Sequence, residues 1–131
     1  MSTRAGIIIK DSFSQVHFYR HSDGYPEVTL HSLNIFLRWL KEGKIRDNTG
    51  QAAGWLIVLG AMEYNTIPEF GVLEPFRPGS RPRGDRNAIQ APTDWKVGSY
   101  EPTDNVKNHG DLEYIYTIDL DKKEITYKEV K

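Results

Sequence analysis

An α+β fold, with an antiparallel sheet of four to five strands and two helices packed on one of its faces, is predicted by three features of the 131-residue sequence. Both ends read as β-hairpins. The middle carries a helical apolar stripe followed by a second, almost wholly apolar stretch. The turn residues fall between these segments rather than within them. A chain of this length forms one domain with room for one sizeable core.

The elements follow in order. Arg4–Lys10 holds three consecutive isoleucines and Val16–Arg20 is aromatic and β-branched, with the turn-like Asp11-Ser12-Phe13-Ser14-Gln15 between them. These predict an N-terminal hairpin. On its second strand Val16, Phe18 and Arg20 share one face, and His17 and Tyr19 the other. His21 to Glu27 breaks the strand: Asp23-Gly24 suits a turn, and Pro26 biases Tyr25 toward extended backbone. Leu33, Phe36, Leu37 and Leu40 then recur at helical spacing up to Gly43, a C-cap residue, which predicts a helix over about 29–42. Asn48 and Gln51 have the spacing of a capping pair that opens a second helix over 48–64. Its stretch Ala52–Met62 is apolar on nearly all sides and predicts a buried helix. Ala52, Ala53, Gly54, Gly60 and Ala61 are small enough for another element to approach closely. From 65 to about 92 the periodicity dissolves, and five of the seven prolines lie there. A short strand is expected over 94–100 and a loop over 104–110. At the end, Leu112, Tyr114, Tyr116, Ile118 and Leu120 alternate onto one face, Asp121-Lys122-Lys123 turns, and Ile125 and Tyr127 face together on the return strand.

Composition narrows the function. Seventeen basic and eighteen acidic residues give a net charge of -1, so the chain is neither a uniformly basic nucleic-acid coat nor an acidic tail. The absence of cysteine removes disulfides, thiolate metal sites and cysteine nucleophiles. No secretory signal or apolar stretch of about 20 residues is present, so a cytoplasmic protein without membrane partners is expected. No cofactor motif is found.

The net figure conceals segregation. Pro75–Arg86 carries Arg77, Arg81, Arg83 and Arg86 against Asp85, a charge of +3, which leaves the rest of the chain at -4. Guanidinium groups bind phosphate bidentately, and Gly79 and Gly84 let backbone amides approach an anion. The segment lacks the Gly-Lys-Ser/Thr ending of a phosphate-binding P-loop. It reads as a phosphate, nucleotide or nucleic-acid clamp, or as a basic arm for an acidic protein; the plainer reading is a solvated loop. Arg20, His21, Asp23, Tyr25 and His109 are expected to form an adjoining polar pocket.

Two His-x-Asp motifs, His21-Ser22-Asp23 and His109-Gly110-Asp111, carry the rival chemistry. Imidazole and carboxylate at this spacing can ligate a metal, or act as base and orienting group. Should the two motifs meet, a small metal-dependent phosphoesterase or hydrolase is the alternative function. The plainer reading makes both aspartates turn residues. Tyr19, Tyr25, Trp95, Tyr100, Tyr114, Tyr116 and Tyr127 suit a core or an interface, or a base-stacking face. A third reading is a homo-oligomer through exposed tyrosine strands pairing at an edge.

Three segments, Phe18–Glu27, Gln51–Leu56 and His109–Tyr114, together resemble a group of small uncharacterised phage and prophage proteins. The resemblance implies a host-cell cytoplasmic setting and a protein that works by binding, in the manner of an anti-defence factor, but brings no catalytic residue with it. The leading expectation is thus a phage-type, non-enzymatic binding protein that engages a phosphate-bearing ligand or a host protein or nucleic acid.

Overall fold

The computed structural model describes residues 3–65 and 98–130. Among these residues it is an α+β structure with a five-stranded sheet and two α-helices. Strand β1 (Arg4–Lys10) and β2 (Gln15–Arg20) form the predicted N-terminal hairpin. In its turn, Asp11 Oδ1 accepts the backbone N–H groups of Phe13 and Ser14, each at 2.8 Å. Those two bonds, Phe13's first, hold the Asp11 carboxyl below its usual range.

Helix α1 (Pro26–Lys41) starts with proline at its first turn, where the missing N–H has no partner to lose. It ends in a Schellman motif: Gly43 N–H donates to Leu40 O at 3.2 Å, Lys44 N–H donates to Trp39 O at 2.9 Å, and Gly43 takes φ of 77°. Helix α2 (Thr49–Asn65) starts where predicted, with Gln51 N–H donating to Asn48 Oδ1 at 2.9 Å. It is not buried all round. Ala52, Leu56 and Leu59 enter the core, whereas Gly54 and Ile57 face outward. The uniform apolarity of this stretch hid which side faces the sheet.

Strand β3 (Glu101–Thr103) lies later than the strand expected over 94–100, of which 94–97 fall outside the described residues. A 3-10 turn, Val106–Asn108, interrupts the expected loop. Strands β4 (Leu112–Asp119) and β5 (Glu124–Glu129) form the C-terminal hairpin.

The strand order is β3-β2-β1-β4-β5, and the expected antiparallel sheet is in fact mixed. Its central pair, β1 and β4, runs parallel, while the other three pairs are antiparallel. This position explains why β1 is an isoleucine run: it is flanked on both sides, with Ile7 and Ile9 fully buried beneath the helices. Phe18, Tyr116 and Ile118 join them from neighbouring strands, and Leu33, Phe36, Leu40, Leu56 and Leu59 close the core from the helices. A register shift between Arg4 and Ala5 pairs Arg4 with Leu112 but Ala5 with Tyr114. The bulge turns Leu112 onto the sheet's other face, against Gly6, so Leu112 departs from the predicted alternation. On that face Val106 also covers Gly6: a Cβ there would lie 2.8 Å from Val106 Cγ1.

No helix among the described residues is long and apolar enough to cross a membrane.

Candidate functional site

Alternation along β2 sends its polar residues to two separate sites. Arg20 points toward the helices and is 2% exposed. Its Nη1 lies 3.0 Å from Glu63 Oε2 and 3.2 Å from Oε1, and its Nε donates to Ser22 O at 3.0 Å. The guanidinium carbon sits 5.0 Å from the centre of the Tyr100 ring. The network continues through Ser99, whose hydroxyl donates to Glu63 Oε2, and through Tyr100, whose hydroxyl shares a 2.6 Å hydrogen bond with buried Ser32. Burial pushes the Tyr100 phenol well above its ordinary value and keeps it neutral. This buried group joins β2, α1, the last turn of α2 and the chain re-entering at Ser99.

The same junction is closed by backbone. Ser99 N–H donates to Gly60 O at 3.2 Å. A Cβ on Gly60 would come within 2.9 Å of Tyr100 N, and one on Gly98 within 2.7 Å of Ala61 N. The close approach anticipated from the small residues of α2 therefore occurs at Gly60 and Ala61. A Cβ on Gly54 would meet no other part of the fold within 4 Å.

Tyr19 faces the other side of the sheet. Its ring stacks on His109, with centroids 4.2 Å apart and planes 16° from parallel, and its hydroxyl donates to Asp111 Oδ2 at 2.8 Å. Burial first, and then the Asp111 hydrogen bond, raise the Tyr19 phenol. His109 Nε2 lies 2.9 Å from Thr103 Oγ1. Nearby, His17 Nδ1 accepts the Val106 N–H at 3.0 Å, so it holds a lone pair rather than a proton. Desolvation, followed by the charge of Lys107, depresses the His17 imidazole below its ordinary value.

The two His-x-Asp motifs do approach each other, through Arg4. Its Nη1 donates to the backbone carbonyl of His21, and its Nε lies 3.7 Å from Asp111 Oδ2. A fixed cation thus occupies the junction where the alternative function needed a metal, and among the described residues no three His, Asp or Glu side chains are grouped to hold one. Asp23 serves the turn: it is exposed, takes φ of 55°, and its carbonyl accepts from Thr29 Oγ1 at 2.9 Å. Tyr25 occupies the α1 N-cap position and is 37% exposed.

The five residues expected to form one polar pocket are therefore divided. Arg20 lies within the helix-facing layer, His109 lies on the opposite face, and His21, Asp23 and Tyr25 lie in the turn between β2 and α1. Arg77, Arg81, Arg83 and Arg86 lie outside the described residues. Sequence reasoning missed Arg4, Thr103, Glu63 and Ser99. Those four carried no local signal, whereas alternation had already placed Tyr19 with His17 opposite Arg20, and the second His-x-Asp motif had singled out its partners His109 and Asp111. On the face opposite the helices, Tyr19, His109, Asp111, Thr103 and Arg4 thus form one cluster of stacked rings and paired polar groups. Comparison of the chain with protein-family models, curated proteins and solved structures finds no match.

Proposed function

We propose that this is a phage-type, non-enzymatic binding protein whose segment Pro75–Arg86 engages a phosphate-bearing partner through Arg77, Arg81, Arg83 and Arg86. The observation that supports the reading is the junction at Gly60, Glu63, Gly98 and Ser99. It brings residues 60–63 and 98–99, which flank the stretch of sequence that carries the arginines, side by side. Holding these flanking residues in advance lowers the ordering cost of binding through what lies between them. The guanidinium bias of the segment suits a phosphate partner, which can accept two parallel N–H bonds from each group where a lysine offers only a point charge. The resemblance of three segments to phage proteins suggests a host-cell partner and an anti-defence role.

The test uses the full chain and a short fluorescein-labelled single-stranded oligonucleotide, followed by fluorescence anisotropy over a salt series. Binding should weaken steeply with salt. The quadruple Arg77→Ala, Arg81→Ala, Arg83→Ala, Arg86→Ala variant should flatten the log–log slope by about 0.7 for each phosphate contact removed. A quadruple variant that binds with wild-type affinity and salt dependence overturns the reading.

A further inference from the structure

The two edges of the sheet are built differently. The β3 edge has three residues and contains Pro102, which has no N–H to offer, so it is a poor template for another strand. The β5 edge has six residues, no proline and no register shift against β4. Val130 gives its N–H to Glu113 O at 2.8 Å. By the alternation of an antiparallel backbone, Ile125, Tyr127 and Glu129 turn their own N–H and C=O groups away from β4. Glu124 and Lys128 are exposed, and Tyr127 is 49% exposed.

The order of side chains on this edge is self-complementary. Consider a second copy related by a two-fold axis through Thr126, normal to the sheet. Glu124 then lies opposite Lys128 of the second copy, and Lys128 opposite Glu124. Ile125 and Tyr127 meet twice on the helix-bearing face, and their outward backbone groups form the hydrogen-bonded pairs. Neighbouring registers lose this match. An axis through Ile125 sets Lys122 opposite Lys128, one through Tyr127 sets Ile125 opposite Glu129, and one through Lys128 sets that lysine against itself. A slip of half a step exchanges the two faces of the sheet. Opposite charges directly across a strand pair stabilise it and like charges destabilise it. One register is therefore selected.

We infer that the chain forms a two-fold homodimer by antiparallel pairing of β5 with β5 of a second copy, centred on Thr126, so that two sheets become one continuous sheet. The charge match at Glu124 and Lys128 sets the register and identifies the second copy as the partner.

Sedimentation velocity on the full chain tests this with Glu124→Lys and Lys128→Glu. Each single variant places like charges in both cross-strand pairs and should weaken dimerisation by about tenfold or more. Mixing the two single variants restores opposite charges in both pairs, as does the double variant; both should sediment as dimers. Glu124 already sits opposite Asp119 within the protomer, so Glu124→Lys relieves a like-charge contact there, and lost dimer cannot be ascribed to a weakened fold. A wild-type chain that stays monomeric at high concentration overturns the inference. So does a dimer that neither single variant affects, or a pair of single variants that fails to recover on mixing.

Discussion

Glycine has opposite roles at two positions of α2 six residues apart. Gly60 is pressed by the returning backbone, with Tyr100 N and Ser99 N at 2.9 and 3.0 Å from where a Cβ would stand. Gly54 faces open space. Gly60→Ala should therefore destabilise by about 1–3 kcal/mol through overpacking. Gly54→Ala should stabilise by about 0.5–1 kcal/mol, because the helix no longer bears glycine's backbone entropy. Urea denaturation of the two variants checks the pair, and equal shifts would contradict the close approach at Gly60. His17 supplies a pH dependence of defined sign. Its neutral form is favoured in the fold by desolvation and by the Val106 N–H on Nδ1. Below about pH 6.5 the unfolded chain binds the proton more readily, so this contribution is complete above that value and declines as pH falls, until the folded ring also titrates. His17→Gln should lessen the fall in Tm between about pH 7 and pH 5; an unchanged slope would assign it to other groups.

Between elements, the Arg20–Glu63 pair joins β2 to α2 across the core. Its side chains are 3% and 14% exposed, so removing one partner strands a charge in a poorly hydrated place. Arg20→Met and Glu63→Leu should each cost about 3 kcal/mol, and the joint replacement should recover much of that. Chemical denaturation of the single and double variants measures both, and an additive double variant would show the two groups to be uncoupled. Sequence reasoning reached part of this arrangement. Period-two alternation put Arg20 on the Phe18 face and Tyr19 on the other, and local turn and cap chemistry gave both hairpins, the Gly43 cap and the Asn48 cap. It could not supply Glu63, because nothing local links a residue near the end of α2 to one in β2. It misread Leu112, because the bulge depends on how β4 meets β1, not on the β4 sequence. The uniformly apolar α2 carried no periodicity from which to read its exposed side.

At the scale of the molecule, charge is divided between a +3 segment and a -4 remainder, and the latter supplies the Glu124 and Lys128 pattern on the β5 edge. These are separate recognition surfaces in the two proposals, so salt should weaken oligonucleotide binding in the Glu124→Lys chain as it does in wild type. The parallel pairing of β1 with β4 has a further consequence, for the order of assembly. It joins the beginning of the chain to a strand near its end, at the centre of the sheet. The N-terminal hairpin forms from local contacts, but Ile7 and Ile9 of β1 gain their second flanking strand only when residues 112–119 arrive. Closing so long a stretch of chain before that contact is rewarded makes the central pair a late and slow event. Until then β1 is itself an open, isoleucine-rich edge, and a nascent or thermally stressed chain is most prone to mispairing there.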